Sequence, residues 1–75
     1  MVSDDKTLAQ QFGNRVRALR KKQGMTQEQL AEATGLSVNF VSFVERGLRS
    51  PSLANIGRIA RALNVPVMEL FNFEM

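Results

Sequence analysis

Leu8, Phe12, Val16 and Leu19 recur at intervals of four, four and three residues, which lays them along one face of an α-helix. The pattern predicts a helix from Thr7 to Gln23 with Gly24 as its stop. Lys21 and Lys22 fall in the last turn, where positive charge meets the negative end of the helix dipole. Thr26-Gln27-Glu28-Gln29 then has the form of a capping box, in which the Thr26 hydroxyl and the Gln29 side chain satisfy each other's backbone amides. It opens a short second helix that runs through Leu30 and Ala31 to Gly35.

A third helix is predicted from Val38 to Glu45 or Arg46, with Ser37 as its cap and Gly47 after it. Val41 and Val44 mark its buried face. Three β-branched residues (Val38, Val41, Val44) and two phenylalanines give it poor intrinsic helicity, so packing must hold it. Leu48 to Pro51 reads as a loop. Ser52 caps a fourth helix, with Leu53, Ile56, Ile59, Ala60 and Leu63 inward and Asn64 at its end. Pro66 suits the first turn of a fifth, carrying Val67, Leu70 and Phe71. No segment alternates with period two. The expected class is therefore all-α: one domain over residues 7–75, behind a flexible tail at residues 1–6.

Composition removes most catalytic chemistry. The chain of 75 residues is 44% hydrophobic, enough for one core with little left for a cleft. It has no cysteine and no histidine, so no disulfide, metal site or cofactor is expected, and enzyme activity is not. The N-terminus has no signal-peptide pattern, and no apolar run approaches the ~20 residues that span a bilayer. A cytoplasmic protein without a membrane partner or small-molecule ligand is the expectation.

Charge adds a partner. Between Arg15 and Arg61 lie nine basic residues (Arg15, Arg17, Arg20, Lys21, Lys22, Arg46, Arg49, Arg58, Arg61) against Glu28, Glu32 and Glu45, a local balance of +6. A basic middle between acidic ends suits a polyanion. Two short helices joined through Gly35-Leu36-Ser37 are also what a DNA-reading helix-turn-helix needs. Ala31 is small where the third helix crosses it, Gly35 sits where the turn favours positive φ, and Leu30, Leu36, Val41 and Val44 wedge the pair together. The outward face of the third helix then carries Val38, Asn39, Ser42 and Phe43 towards base edges. Asn39 can pair with adenine, and Val38 and Phe43 can touch a thymine methyl. Arg46, Arg49, Ser50 and Ser52 border the following loop and, with Ser37, suit the phosphate backbone of double-stranded DNA.

The run Arg-Ala-Leu-Arg-Lys-Lys-Gln-Gly-Met-Thr-Gln-Glu-Gln-Leu-Ala from Arg17 to Ala31 resembles the phage-repressor and Cro-type, or xenobiotic-response-element, helix-turn-helix family. Val44-Glu45-Arg46-Gly47 and Ser50-Pro51-Ser52-Leu53 extend the likeness over about residues 8–71. In its size and in Phe40 followed by Val41-Ser42, the chain also resembles the controller proteins of restriction–modification systems. The resemblance implies a compact five-helix fold of the lambda-repressor type that binds operator DNA as a two-fold dimer. It implies a phosphate contact for Gln27, and an ion pair between Arg20 and Glu45, consistent with Arg20 falling on the Phe12–Val16–Leu19 face.

One departure stands out: the reading face holds no Arg, Lys or Gln, the usual readers of guanine and adenine. A protein-interaction module of the same fold, antitoxin-like or an adaptor, is therefore the alternative, docking through Val38, Phe40 and Phe43. The basic loop favours DNA. The C-terminus supplies a dimerisation surface, with Val67, Met68, Leu70, Phe71, Phe73 and Met75 placing six apolar residues in the last nine. Val67, Met68, Phe73 and Met75 are its expected contacts.

Overall fold

Three side-chain hydroxyls start three of the helices. Thr26 Oγ1 accepts from the Gln29 amide at 3.0 Å while Gln29 Oε1 accepts from the Thr26 amide at 2.8 Å, closing the capping box. Ser37 Oγ accepts from the Phe40 amide at 3.0 Å, and Ser52 Oγ from the Asn55 amide at 3.1 Å. These caps fix where the chain changes direction, and hence which faces meet.

The computed structural model describes residues 5–73. They form α1 (Asp5–Lys22), α2 (Gln27–Thr34), α3 (Val38–Glu45) and α4 (Leu53–Ala62), followed by a 3-10 helix at Val67–Phe71. No strand occurs among the described residues. The fold is thus all-α, with four α-helices and a 3-10 turn in place of the expected five helices. The last element is too short to settle into α geometry. Its backbone bonds span three residues, as from the Glu69 amide to the Pro66 carbonyl at 2.9 Å. Residues 1–4 of the expected tail and Met75 lie outside the described residues. The α1 helix begins at Asp5, two residues before the apolar pattern indicates, because periodicity registers only the packed part of a helix.

Phe12, Val16 and Leu19 of α1 meet Leu30 and Ala31 of α2, Val41 and Val44 of α3, and Ile59, Ala60, Leu63 and Leu70 beyond them. All are buried. Leu8 and Leu53 are not: they are 41% and 86% exposed, although the pattern turns both inward. Each stands a full turn outside the packed stretch of its helix, before Phe12 and before Ile56. In the 3-10 turn only Leu70 is buried, and Val67 and Phe71 remain exposed.

Two glycines set how the first three helices meet. Gly35 adopts φ 77°, the left-handed region where a β-carbon costs about 1 kcal/mol or more. Its amide bonds to the Ala31 carbonyl at 2.9 Å, ending α2 in time for Ser37 to start α3. Gly13 acts by absence: a β-carbon there would lie 2.2 Å from the Val44 carbonyl oxygen and 2.7 Å from that of Glu45. The backbones of α1 and α3 touch at this point. Across the molecule, Arg15 Nη2 donates to Glu69 Oε1 at 2.7 Å and Arg15 Nε to the Glu69 carbonyl at 2.8 Å, tying α1 to the 3-10 turn.

Candidate nucleic-acid interface

Helical spacing divides α3 into an inner and an outer arc. Val41, Val44 and Glu45 are buried, whereas Val38, Asn39 and the C-terminal Arg46 are exposed, with Ser42 and Phe43 half-buried between. Val38, Ser42 and Arg46 follow one another four residues apart in one row, and Asn39 and Phe43 form the next. Arg46 leans back along α3, its guanidinium carbon 5.2 Å from the centre of the Phe43 ring. A cation over an aromatic face at this range is attractive by about 0.5–1 kcal/mol at an exposed site. Phe40 is half-buried and packs against the core.

What anchors this face is ionic and internal. Arg20 Nε donates to Glu45 Oε2 at 2.7 Å and Nη2 to Oε1 at 3.0 Å, a two-pronged pair whose side chains are 8% and 1% exposed. Arg20 Nη1 also donates to the Met25 carbonyl at 2.7 Å, just before the α2 cap. One guanidinium therefore connects α1, the start of the helix-turn-helix and the last residue of α3. Gln27 joins from the other side, its side-chain amide donating to Glu45 Oε1 at 3.0 Å. An amide nitrogen carries two hydrogens, so the bond to Glu45 leaves Gln27 a second donor.

The remaining polar residues sit around this frame. Ser37 and Ser52 are exposed, and each uses its oxygen as an acceptor for a helix cap, which leaves the hydroxyl hydrogen to donate outward. Arg49 and Ser50 are exposed in the loop between α3 and α4. The expected dimer residues Val67 and Met68 are exposed and Phe73 is half-buried. Leu53, the most exposed large apolar side chain among the described residues, starts α4, the helix against which the 3-10 turn packs. Of the nine basic residues from Arg15 to Arg61, two hold carboxylates within the fold: Arg20 pairs with Glu45 and Arg15 with Glu69. Sequence pattern missed the Arg15–Glu69 bridge, the Arg46–Phe43 stack and the Gly13 contact. Only the three-residue step from Phe43 to Arg46 could have signalled any of them.

A two-helix unit held at a fixed angle by a left-handed glycine, with the outer arc of its second helix open to solvent, is the DNA-reading element of helix-turn-helix transcriptional regulators. The comparisons agree. The chain belongs to the helix-turn-helix family, whose model matches residues 16–70. It is 47% identical over 62 residues to the uncharacterized HTH-type transcriptional regulator YazB of Bacillus subtilis, covering 83% of this chain and 90% of that one. It is 43% identical over 63 residues to the control protein C.BamHI of Bacillus amyloliquefaciens, covering 83% of this chain and 78% of that one. Among solved structures, the restriction–modification controller protein C.AhdI from Aeromonas hydrophila superposes with a TM-score of 0.83 at 46% identity, covering 84% of this chain and 96% of that one. The protein is a DNA-binding transcriptional regulator. No described helix is long and apolar enough to cross a membrane.

Proposed function

We propose that the protein acts as a homodimer on a two-fold operator, each subunit setting α3 in the major groove. Val38, Asn39, Ser42 and Phe43 meet base edges. Gln27, Ser37, Arg46, Arg49, Ser50 and Ser52 meet the phosphates on either side. The observation that carries this reading is the divided helix: α3 commits Val41, Val44 and Glu45 to the interior and turns Val38 and Asn39 to solvent. A helix kept only for packing has no need to present such a face beside exposed arginines. The dimer forms through the exposed apolar residues Val67 and Met68 with Phe73 and Met75, and the structure adds Leu53 as a further candidate. Apolar surface of this kind marks association in a soluble domain.

Selection of bound sequences from a pool of random duplexes tests the reading. The expected product is an inverted repeat with half-sites about 10 base pairs apart, one turn of DNA. Enrichment of no sequence, or of a single unrepeated half-site, would overturn the operator and dimer model respectively.

A further inference from the structure

The outer arc of α3 is unusual in what it offers to bases. Of Val38, Asn39, Ser42 and Phe43, only Asn39 and Ser42 can hydrogen-bond, and the other two present hydrocarbon. Val38 stands 38% exposed in the first turn, where a helix seated in the major groove comes closest to base edges. Phe43 is half-buried, and its ring is held by the Arg46 guanidinium at 5.2 Å. The apolar feature by which base pairs differ in the major groove is a methyl on C5 of a pyrimidine. Thymine carries that methyl as a matter of course. A cytosine methylated at C5 carries it in the same position, with its pairing to guanine unchanged.

Resting on the assignment of α3 to base reading, we propose that Val38 and Phe43 read the C5-methyl group itself, so that binding responds to the methylation state of cytosine in the operator. The stacked Arg46 makes this a defined contact. It favours this placement of the Phe43 ring by about 0.5–1 kcal/mol, which biases the apolar surface that the methyl meets before DNA arrives. The guanidinium keeps its own N–H edge for the phosphate alongside. Thymine and 5-methylcytosine are the two sources of the same methyl, distinguished on the duplex by the hydrogen-bonding group at the neighbouring C4.

Synthetic duplexes separate methyl from base. Starting from the sequence recovered by selection, each thymine is replaced in turn by uracil, which removes only the methyl, and affinity is followed by fluorescence anisotropy. At each position that responds, the T·A pair is then exchanged for C·G and for 5-methyl-C·G. The expected result is a loss of about fourfold on uracil substitution at one or two positions per half-site, the size set by burying one methyl. At the same positions 5-methyl-C·G should bind about fourfold tighter than C·G. Val38→Ala or Phe43→Ala should remove the difference at the position each contacts, and Val38, being exposed, can be truncated without disturbing the core. Glu32→Ala, at an exposed position on α2 with no part in the contacts proposed, should leave both affinity and the methyl response intact. Indifference to uracil throughout, equal binding of methylated and unmethylated cytosine, or a methyl response that survives both truncations would overturn the proposal. Failure of the selection to enrich any duplex would overturn DNA reading itself, a separate and earlier result.

Discussion

Gly13 of α1 lies so close to Val44 of α3 that an added β-carbon would stand 2.2 Å from the Val44 carbonyl oxygen. No rotamer change relieves such a contact, because the Val44 oxygen is backbone and an alanine β-carbon is fixed by the backbone it stands on. Gly13→Ala must therefore part the two helices. The expected loss is about 3 kcal/mol or more, the upper end for overpacking. Gly57→Ala is the control: its β-carbon would meet only the tip of the Arg61 side chain at 3.6 Å. Relieving a glycine inside α4 should stabilise by about 0.5–1 kcal/mol. Urea unfolding of the two variants should move in opposite directions.

The buried ion pair leads to a second prediction. Glu45 is 3% exposed and accepts from both Arg20 and Gln27. Glu45→Ala leaves the Arg20 charge inside without its partner and should cost about 3–5 kcal/mol. Glu32 is exposed on α2, and Glu32→Ala should change stability by about 0.5 kcal/mol or less. Denaturant midpoints measured side by side decide the matter. Equal, small shifts would show that the pair contributes little.

Base and phosphate contacts should separate by salt. Arg49→Ala should weaken binding to operator and random DNA alike and flatten the slope of log K against log salt by about 1. Asn39→Ala should leave random DNA nearly unaffected, yet lose about 1–3 kcal/mol on the operator and relax preference at one or two base pairs. Titrating both variants on both DNAs over a range of salt would expose a reversed assignment at once.

Association through the apolar C-terminal face predicts a concentration-dependent dimer. Sedimentation of the wild-type chain at tens of micromolar should show it. Met68→Asp, at a side chain 80% exposed and outside the core, should yield a folded monomer with weaker operator binding. A variant that stays dimeric would place the interface elsewhere.

The sequence made the reading unit legible because each of its parts is local. A hydroxyl three residues ahead of an amide, or a glycine after the last apolar position, declares a helix boundary without reference to the rest of the chain. Thr26, Ser37, Ser52 and Gly35 all do so. What escaped depends on two segments meeting. Arg15 and Glu69 are 54 residues apart and lie on faces that a hydrophobic pattern assigns to solvent. Gly13 looks like any glycine within a helix until α3 is laid across it. Leu8 and Leu53 have the spacing of core residues but stay exposed a turn beyond the packed stretch of their helices, and periodicity carries no information about where packing stops. Gln27 appears as an outward polar residue from its place at the start of α2, while one of its amide hydrogens belongs to Glu45.

The divided arcs of α3 bear on how such a protein changes over time. Residues that secure the helix, Val41, Val44 and Glu45, and those that stand open to solvent, Val38 and Asn39, are disjoint sets of positions. Substitution on one arc leaves the packing of the other untouched, so a lineage can drift from one operator to another through folded intermediates at every step. Phe43 stands at the seam between the arcs. It is the position where innovation in recognition and retention of the fold make competing demands on one side chain.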